Sequence, residues 1–191
     1  VDLDGSLLKS DLLHESFANF FSKDFFAPIK CIVVLIKSGI VGLKAYLYHN
    51  SFIEIKNLPF NQDVLDFIAE WKFKNDGDVI LISASHHLYV KNVFEYLKIF
   101  NFFYGTQNKN LKSTAKLETI KEHAQGHAFD YIGNTNDDLI IWQSSSQAIT
   151  VNAGRSLEKK INQLKNNVIS IKDNNSFFKR LIKLIRVHQW S

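Results

Sequence analysis

The chain has 191 residues, a formal charge of +4, and 46% hydrophobic against 22% charged residues. That composition excludes a disordered segment and leaves room for one domain with a small insert. The charge is too weak to argue for nucleic acid. The one cysteine, Cys31, excludes a disulfide framework or a Cys-based zinc cluster and is expected to be buried and inert. No uninterrupted apolar run reaches the ~18 residues that span a bilayer, and no signal-peptide pattern is present. There is no Met and position 1 already sits in a motif, so the chain reads as a segment of something longer.

In chain order, residues 1–3 read as the end of a buried strand and Asp4-Gly5-Ser6 as a turn. Residues 10–56 are apolar without strand-like alternation and read as helices, ended by Asn57-Leu58-Pro59. Val64, Leu65, Phe67, Ile68 and Trp71 recur at helical spacing over residues 61–74. The run Val79-Ile80-Leu81-Ile82, ending in Ser83-Ala84-Ser85, has the pattern of a strand buried on both faces. A helix follows over 87–98, then a short strand over 102–106. The next helix runs from Ser113 to about His123, with Ser113 or Thr114 as cap. Residues 129–133 read as a strand, 134–138 as a polar loop, 139–145 as a helix and 148–151 as a last strand. Strands alternating with helices predict a parallel sheet covered on both faces. The block after the first strand is too long for an ordinary crossover and predicts an inserted helical cap.

Sites in open α/β sheets form at the carboxyl ends of strands. Four polar clusters fall there: Asp2/Asp4, Ser83/Ser85, Lys116 and Asn134/Asp138. Two carboxylates one residue apart, followed by Gly, can both turn toward one site. A carboxylate can attack phosphorus and split one hard step into two. A second can pass protons to and from the leaving oxygen. Serine and lysine donors suit the charge that develops on phosphoryl oxygens. Closely packed carboxylates need a cation, and a hard oxygen site selects Mg²⁺. Ser85, His86 and His87, after the second cluster, read as a helix cap and solvated histidines.

The order of the clusters resembles the haloacid dehalogenase superfamily over residues 1–153. Asp2-Leu3-Asp4-Gly5-Ser6 matches its first motif, Ile82-Ser83 its second, Lys116 in Thr114-Ala115-Lys116-Leu117 its third. Gly133-Asn134-Thr135-Asn136-Asp137-Asp138 matches the fourth in part. The resemblance implies a three-layer Rossmann-like α/β core (residues 1–9 and 57–153) with an α-helical cap (10–56) inserted after the first strand. It makes Asp2 the nucleophile, Asp4 the acid/base, and Ser83 and Lys116 the phosphoryl donors. It places Mg²⁺ on the Asp2 carboxylate, the Asp4 carbonyl and the fourth motif. Asn134 departs from the pattern, standing where the family has a metal-binding Asp. That removes a negative charge, for which Asp138, or less readily Asp137, would compensate.

Two segments point to a membrane. Lys23, Lys30, Lys37 and Lys44 recur every seven residues with almost no other charge between them. On a continuous helix they form one stripe, suited to lysines that reach to headgroups while the helix body lies in the interface. The alternative is two buried cap helices broken at Ser38-Gly39, which scrambles the stripe. From Ser176 onward, Lys179, Arg180, Lys183 and Arg186 fall on one side of a helix and Phe177, Leu181 and Ile185 on the other, a basic amphipathic pattern suited to an anionic bilayer surface. Ile185-Arg186-Val187-His188-Gln189-Trp190 resembles the approach to the first membrane helix of UbiA-type prenyltransferases, some of which carry an N-terminal dehalogenase-like domain. Residues 1–16 and Asp138-Leu139-Ile140-Ile141-Trp142 look like parts of such a domain. Residues 154–191 are then a linker and basic helix leading to a fused membrane prenyltransferase domain.

The resulting expectation is a Mg²⁺-dependent phosphatase acting through an aspartyl-phosphate on a phosphorylated, lipid-linked or small-molecule substrate at the cytoplasmic face of a membrane. The alternatives are a catalytically weak regulatory or anchoring module, which Asn134 favours, and a phosphotransferase using the same residues.

Overall fold

The computed structural model describes residues 1–165 and 167–172. The expected basic helix from Ser176 and the prenyltransferase-like ending lie outside the described residues.

Among the described residues five strands are formed: β1 (Ile80–His86), β2 (Phe102–Thr106), β3 (Tyr131–Gly133), β4 (Ala148–Val151) and β5 (Val168–Ile171). All pairings between them are parallel, β1 with β2, and β3 with β4 with β5. The segment 1–3 joins the two groups. Ile82 N donates to Val1 O and Asp2 N donates to Ile132 O, both at 2.9 Å. The spatial order is therefore β2, β1, segment 1–3, β3, β4, β5. Neighbouring strand residues point to opposite faces. Leu81, Ile132 and Ile149 accordingly join one apolar cluster, while Ile82, Tyr131 and Ala148 join another. This is the three-layer α/β core with a parallel sheet that the sequence pattern predicts.

Helices cover the two faces. On the first lie α3 (Gln62–Lys74), burying Val64 and Ile68, and α4 (His87–Leu97), burying Tyr89, Val90 and Val93. On the second lie α5 (Thr114–Ala124), α6 (Leu139–Ser144) and α7 (Arg155–Leu164), contributing Leu117, Ile120, Trp142, Leu157 and Ile161. Trp142 is fully buried, and its indole Nε1 donates to Tyr131 O. Residues 154–172, expected as linker, instead form α7 and the edge strand β5. Two apolar residues four apart in α7, Leu157 and Ile161, carry its docking.

The cap consists of α1 (Leu12–Lys23) and α2 (Ala27–Asn50). Asp11 starts α1 by accepting from Leu13 N and His14 N. The helix α2 is long and apolar enough to cross a membrane, but it is broken at Gly39, whose φ of 63° and ψ of −170° are not helical. After the break the chain folds back, and Ala27 and Cys31 share a cluster with Leu47 and with Phe20 of α1. Cys31 is buried, as its type predicts. The lysine stripe does not form. Lys37 is exposed, Lys30 pairs with Asp24, and Lys44 is buried against the core. The break falls at the expected Ser38-Gly39, yet the first half of α2 is largely exposed rather than buried.

Candidate active site

Asp2, Asp4, Ser83, Lys116, Asn134 and Asp138 all gather at the carboxyl ends of segment 1–3, β1 and β3. Asp2 is 6% exposed. Its Oδ1 accepts from Lys116 Nζ at 2.7 Å and its Oδ2 from Ser6 Oγ at 3.2 Å. Lys116 comes from the first turn of α5. Its Nζ also donates to Tyr131 Oη at 3.2 Å and stands 3.8 Å from Asp138 Oδ1. Burial opposes the lysine's charge, but Asp2, Asp138 and Asp4 overcome this and hold its pKa above the usual range. Burial pushes the Asp2 carboxyl up to about 6, with Asp138 and Asp4 adding to the rise and Lys116 resisting it. At neutral pH Asp2 is therefore ionised beside a protonated Lys116.

Asp4 faces a different set of donors. Leu12 N donates to Oδ1 at 2.8 Å; Ser83 Oγ and Ser85 Oγ donate to Oδ2 at 2.8 and 2.7 Å. Burial, helped by Asp11, raises its pKa against these hydrogen bonds. A carboxyl held above its ordinary range is suited to giving a proton to a leaving group. Ser85, placed with Ser83 in the second cluster but read as a helix cap, thus binds Asp4 instead. The histidines are also not solvated in the way expected: His86 stacks on Tyr48 with ring centroids 4.9 Å apart, and His87 packs on Phe103. Ser113, expected to cap α5, makes no side-chain cap and instead donates to Asp137 O. Asp137 lies on the surface, paired with Lys112.

The turn after Asp4 needs glycine. Gly5 has φ +73°, and a Cβ there would come within 2.1 Å of the Asn134 side-chain nitrogen. The amide of Asn134 thus lies directly over the Asp4-Gly5 turn. Its Oδ1 is buried and has no hydrogen-bond partner. Asp138 has a different situation from the free metal carboxylate expected of it. Its Oδ1 accepts from Tyr131 Oη (2.7 Å), and its Oδ2 accepts from Asn134 N, Thr135 N and Thr135 Oγ1 (3.0 to 3.2 Å). With both oxygens engaged, Asp138 clamps the loop that presents Asn134.

The cap also reaches the site. Lys44 Nζ donates to Ala84 O at 2.5 Å and Asn110 Oδ1 at 2.7 Å. Ala84 lies between the two serines that bind Asp4. Burial lowers the Lys44 pKa, and Asp4 and Asp11 work against that. A cavity of about 530 Å³, lined by Trp71, His123, Phe129 and Ile149 among others, lies at the amino ends of the strands. None of the four clusters lines it.

The donor set fits a hard divalent cation. A buried acceptor without a donor, Asn134 Oδ1, and a buried carboxylate whose charge is disfavoured, Asp2, would both be relieved by one. Mg²⁺ characteristically takes one or two carboxylates and keeps several waters. Among the described residues no group of three His, Cys, Asp or Glu side chains forms a fuller cage.

No family model matches the sequence. An uncharacterised protein of Sinorhizobium fredii, y4nM, is 30% identical over 195 residues. That match takes in all of this chain, which spans 37% of the relative's length. Among solved structures, a protein of unknown function from Bordetella pertussis Tohama I is similar with a TM-score of 0.65 at 12% identity, over 88% of this chain and 95% of that one. Substrate-bound phosphoserine phosphatase is similar with a TM-score of 0.60 at 15% identity, over 96% of this chain and 95% of that one. A haloacid dehalogenase superfamily hydrolase from Ehrlichia chaffeensis gives 0.50 at 13% identity, over 98% and 95%. Parallel strand order, helical cap and these neighbours agree: the chain has the Rossmann-like fold of haloacid dehalogenase superfamily hydrolases such as phosphoserine phosphatase.

Proposed function

We propose that the chain is a Mg²⁺-dependent phosphomonoesterase working through an aspartyl-phosphate on Asp2. The observation that carries this is the buried Asp2–Lys116 pair with Asp4, two residues on, held by Ser83 and Ser85. In the first step an Asp2 oxygen bonds to phosphorus as the ester P–O bond breaks, and Asp4 gives its proton to the departing oxygen. In the second, Asp4 takes a proton from water, whose oxygen attacks phosphorus and releases Asp2 and phosphate. Lys116 and Ser83 donate to the phosphoryl oxygens. A bound Mg²⁺, held by the Asp2 carboxylate, the Asp4 carbonyl and Asn134, would neutralise charge on those oxygens. Asp138 positions Asn134. Phosphoserine phosphatase, a fold neighbour, has been seen as a phospho-aspartyl intermediate analogue, which supports the reading by analogy of fold.

The test is phosphate release from a broad phosphoester panel with and without Mg²⁺, paired with trapping of a base-labile, hydroxylamine-sensitive phosphoprotein. Release without any trapped phosphoprotein would contradict the covalent route. Transfer to alcohol acceptors in the same assay would mark a phosphotransferase.

The wider setting is part of the same proposal. The chain is the domain of a longer membrane protein, fused to a prenyltransferase, and meets its phosphorylated or lipid-linked substrate at the cytoplasmic membrane face. The resemblance of residues 185–190 to the prenyltransferase approach supports this, as does the longer length of the Sinorhizobium relative. Asn134 favours a second reading, a weakly catalytic regulatory or anchoring module, because it supplies the metal with one charge fewer than Asp. One variant tests the metal role on which that second reading rests. Asn134→Asp is expected to lower the Mg²⁺ concentration for half-maximal rate by about tenfold, since metal affinity follows ligand charge. An Asn134→Asp chain that needs as much Mg²⁺ as the parent would remove Asn134 from the metal.

Lys44 is the cap's cation beside the site, bonded only to neutral oxygens in the contacts above. It is proposed to receive an anionic or strongly polar group of the substrate beyond the reacting phosphate. Lys44→Met is expected to raise KM about tenfold for such a substrate, roughly 1.4 kcal/mol, with kcat little changed. An aryl phosphate without a second anionic group should show no such rise, and an equal loss on both substrates would count against the assignment.

A further inference from the structure

The cap ends in an apolar surface that the proposed chemistry does not use. On the first half of α2, Ile29, Ile32, Val33, Leu35 and Ile36 are exposed, Ile36 at 79%. Phe21, Phe25 and Phe26, in ring contact at the corner before the helix, extend the same surface, with Phe25 81% exposed. At about 100° per residue, these five exposed aliphatic residues cover an arc of roughly 160°. Ala27 and Cys31, on the opposite side, are buried against α1 and Leu47. Lys30 and Lys37 lie at the border between the exposed apolar arc and the docked side. This is the cross-section of a helix lying in a bilayer interface, apolar arc inward and lysines reaching to headgroups.

We infer that the hairpin tip of the cap, residues 25–40, inserts in the plane of an anionic bilayer and holds the domain on it. Charge selects this occupant. From residue 25 to residue 53 there are three lysines and no Asp or Glu; Lys44 turns into the site and Lys30 pairs with Asp24, which leaves Lys37, with Lys23 at the end of α1, as the exposed positive charge of the tip. A second copy docked antiparallel by two-fold symmetry would bring lysine border against lysine border. The chain's own end is no better a cover, for residues 174–191 hold four Lys and Arg and no acid; both segments suit one anionic plane. Crossing the bilayer is excluded by the break at Gly39 and by the second half of α2, where Lys44 and Leu47 are buried on the protein. The inference goes beyond the proposed membrane setting by naming the contacting surface, and it does not depend on the phosphatase reading.

The test uses the full 191-residue chain with Cys31→Ser and Ile36→Cys, labelled at position 36 with an environment-sensitive fluorophore. Vesicles are phosphatidylcholine alone or with about a third phosphatidylglycerol. The expected result is a blue shift and shielding from aqueous iodide on the anionic vesicles. In the otherwise native chain, Ile29→Asp with Ile36→Asp should weaken co-sedimentation by at least about tenfold. Hydrolysis of a soluble aryl phosphate should be the same in that double variant, so failure here is distinguishable from failure of the phosphatase reading. A label that stays water-exposed while the chain sediments with vesicles would overturn the inference and assign binding to the C-terminal segment. Self-association that Ile36→Asp abolishes, without vesicle binding, would overturn it in favour of a second copy.

Discussion

Asp2→Asn is expected to lower phosphate release by about 10⁴-fold or more, the scale seen when a covalent nucleophile is removed, or about 5.5 kcal/mol of barrier. The amide keeps the size and the place under Ser6 and Lys116 but cannot form the acyl phosphate. No hydroxylamine-sensitive phosphoprotein should accumulate, and circular dichroism should match the parent. Activity surviving in Asp2→Asn would sink the nucleophile assignment. The parent's pH profile carries a linked expectation. Only ionised Asp2 attacks, so the rate falls as pH drops through the folded pKa, which stands at about 6 without a cation. Mg²⁺ favours the ionised form, so the acid limb should move to lower pH as Mg²⁺ is raised. A limb that ignores Mg²⁺ would separate the metal from Asp2.

Lys116→Met is the largest expected loss of stability. Lys116 is 5% exposed and stands between Asp2 and Asp138. Removing it strands two buried carboxylates, and breaking a buried pair from one side costs about 3–5 kcal/mol. Against a typical domain stability of about 5–15 kcal/mol, the variant should melt far below the parent. The sign with pH follows from linkage. Without Lys116 the folded Asp2 pKa rises further above its unfolded value of 3.8, so the folded state holds the proton more tightly. Stability should then be lowest at neutral pH and recover as pH falls through that raised pKa toward the unfolded one. Lys116→Met combined with Asp2→Asn should be more stable than Lys116→Met alone, because one stranded charge is gone. Thermal melts of the four chains measure this; additive losses would mean that the pair is not coupled.

Much of the core was legible because the central strands β1, β3 and β4 are short, apolar and buried on both faces, so Val79-Ile80-Leu81-Ile82 and Ala148-Ile149-Thr150-Val151 stand out against their flanks. The edge strand β5 was not legible. Its residues Val168–Ile171 are only partly buried, and a half-covered edge has a weak apolar signature. The helix α7 before it has just two buried apolar residues. At the site, the polar residues that end apolar runs were visible as four clusters. The role of Ser85 was hidden because its partner, Asp4, is 81 residues away. A hydroxyl after a strand looks the same whether it caps a helix or binds a carboxylate.

Lys44 and Asp138 show the same limit from two directions. A seven-residue lysine period fixes direction only on an unbroken helix, and the positive φ of Gly39 turns the second half of α2 back so that Lys44 faces Ala84 and Asn110. Asp138 stands at the motif position of a metal carboxylate, but Tyr131 and the 134–135 backbone reach it first.

Asp2 frames the division. By itself the sequence determined which chemistry is available: two carboxylates one residue apart at a strand end, with Ser83, Lys116 and the Asn134 loop following in order. That is local information, carried by residue type, spacing and the apolar run before each cluster. Only the tertiary structure decided what each group faces: Lys116 on Asp2, two serines on Asp4, Asn134 over Gly5, Lys44 inward and Ile36 outward. Those choices depend on how distant segments pack, and packing sets burial, which decides both a carboxylate's proton affinity and which apolar face is left exposed.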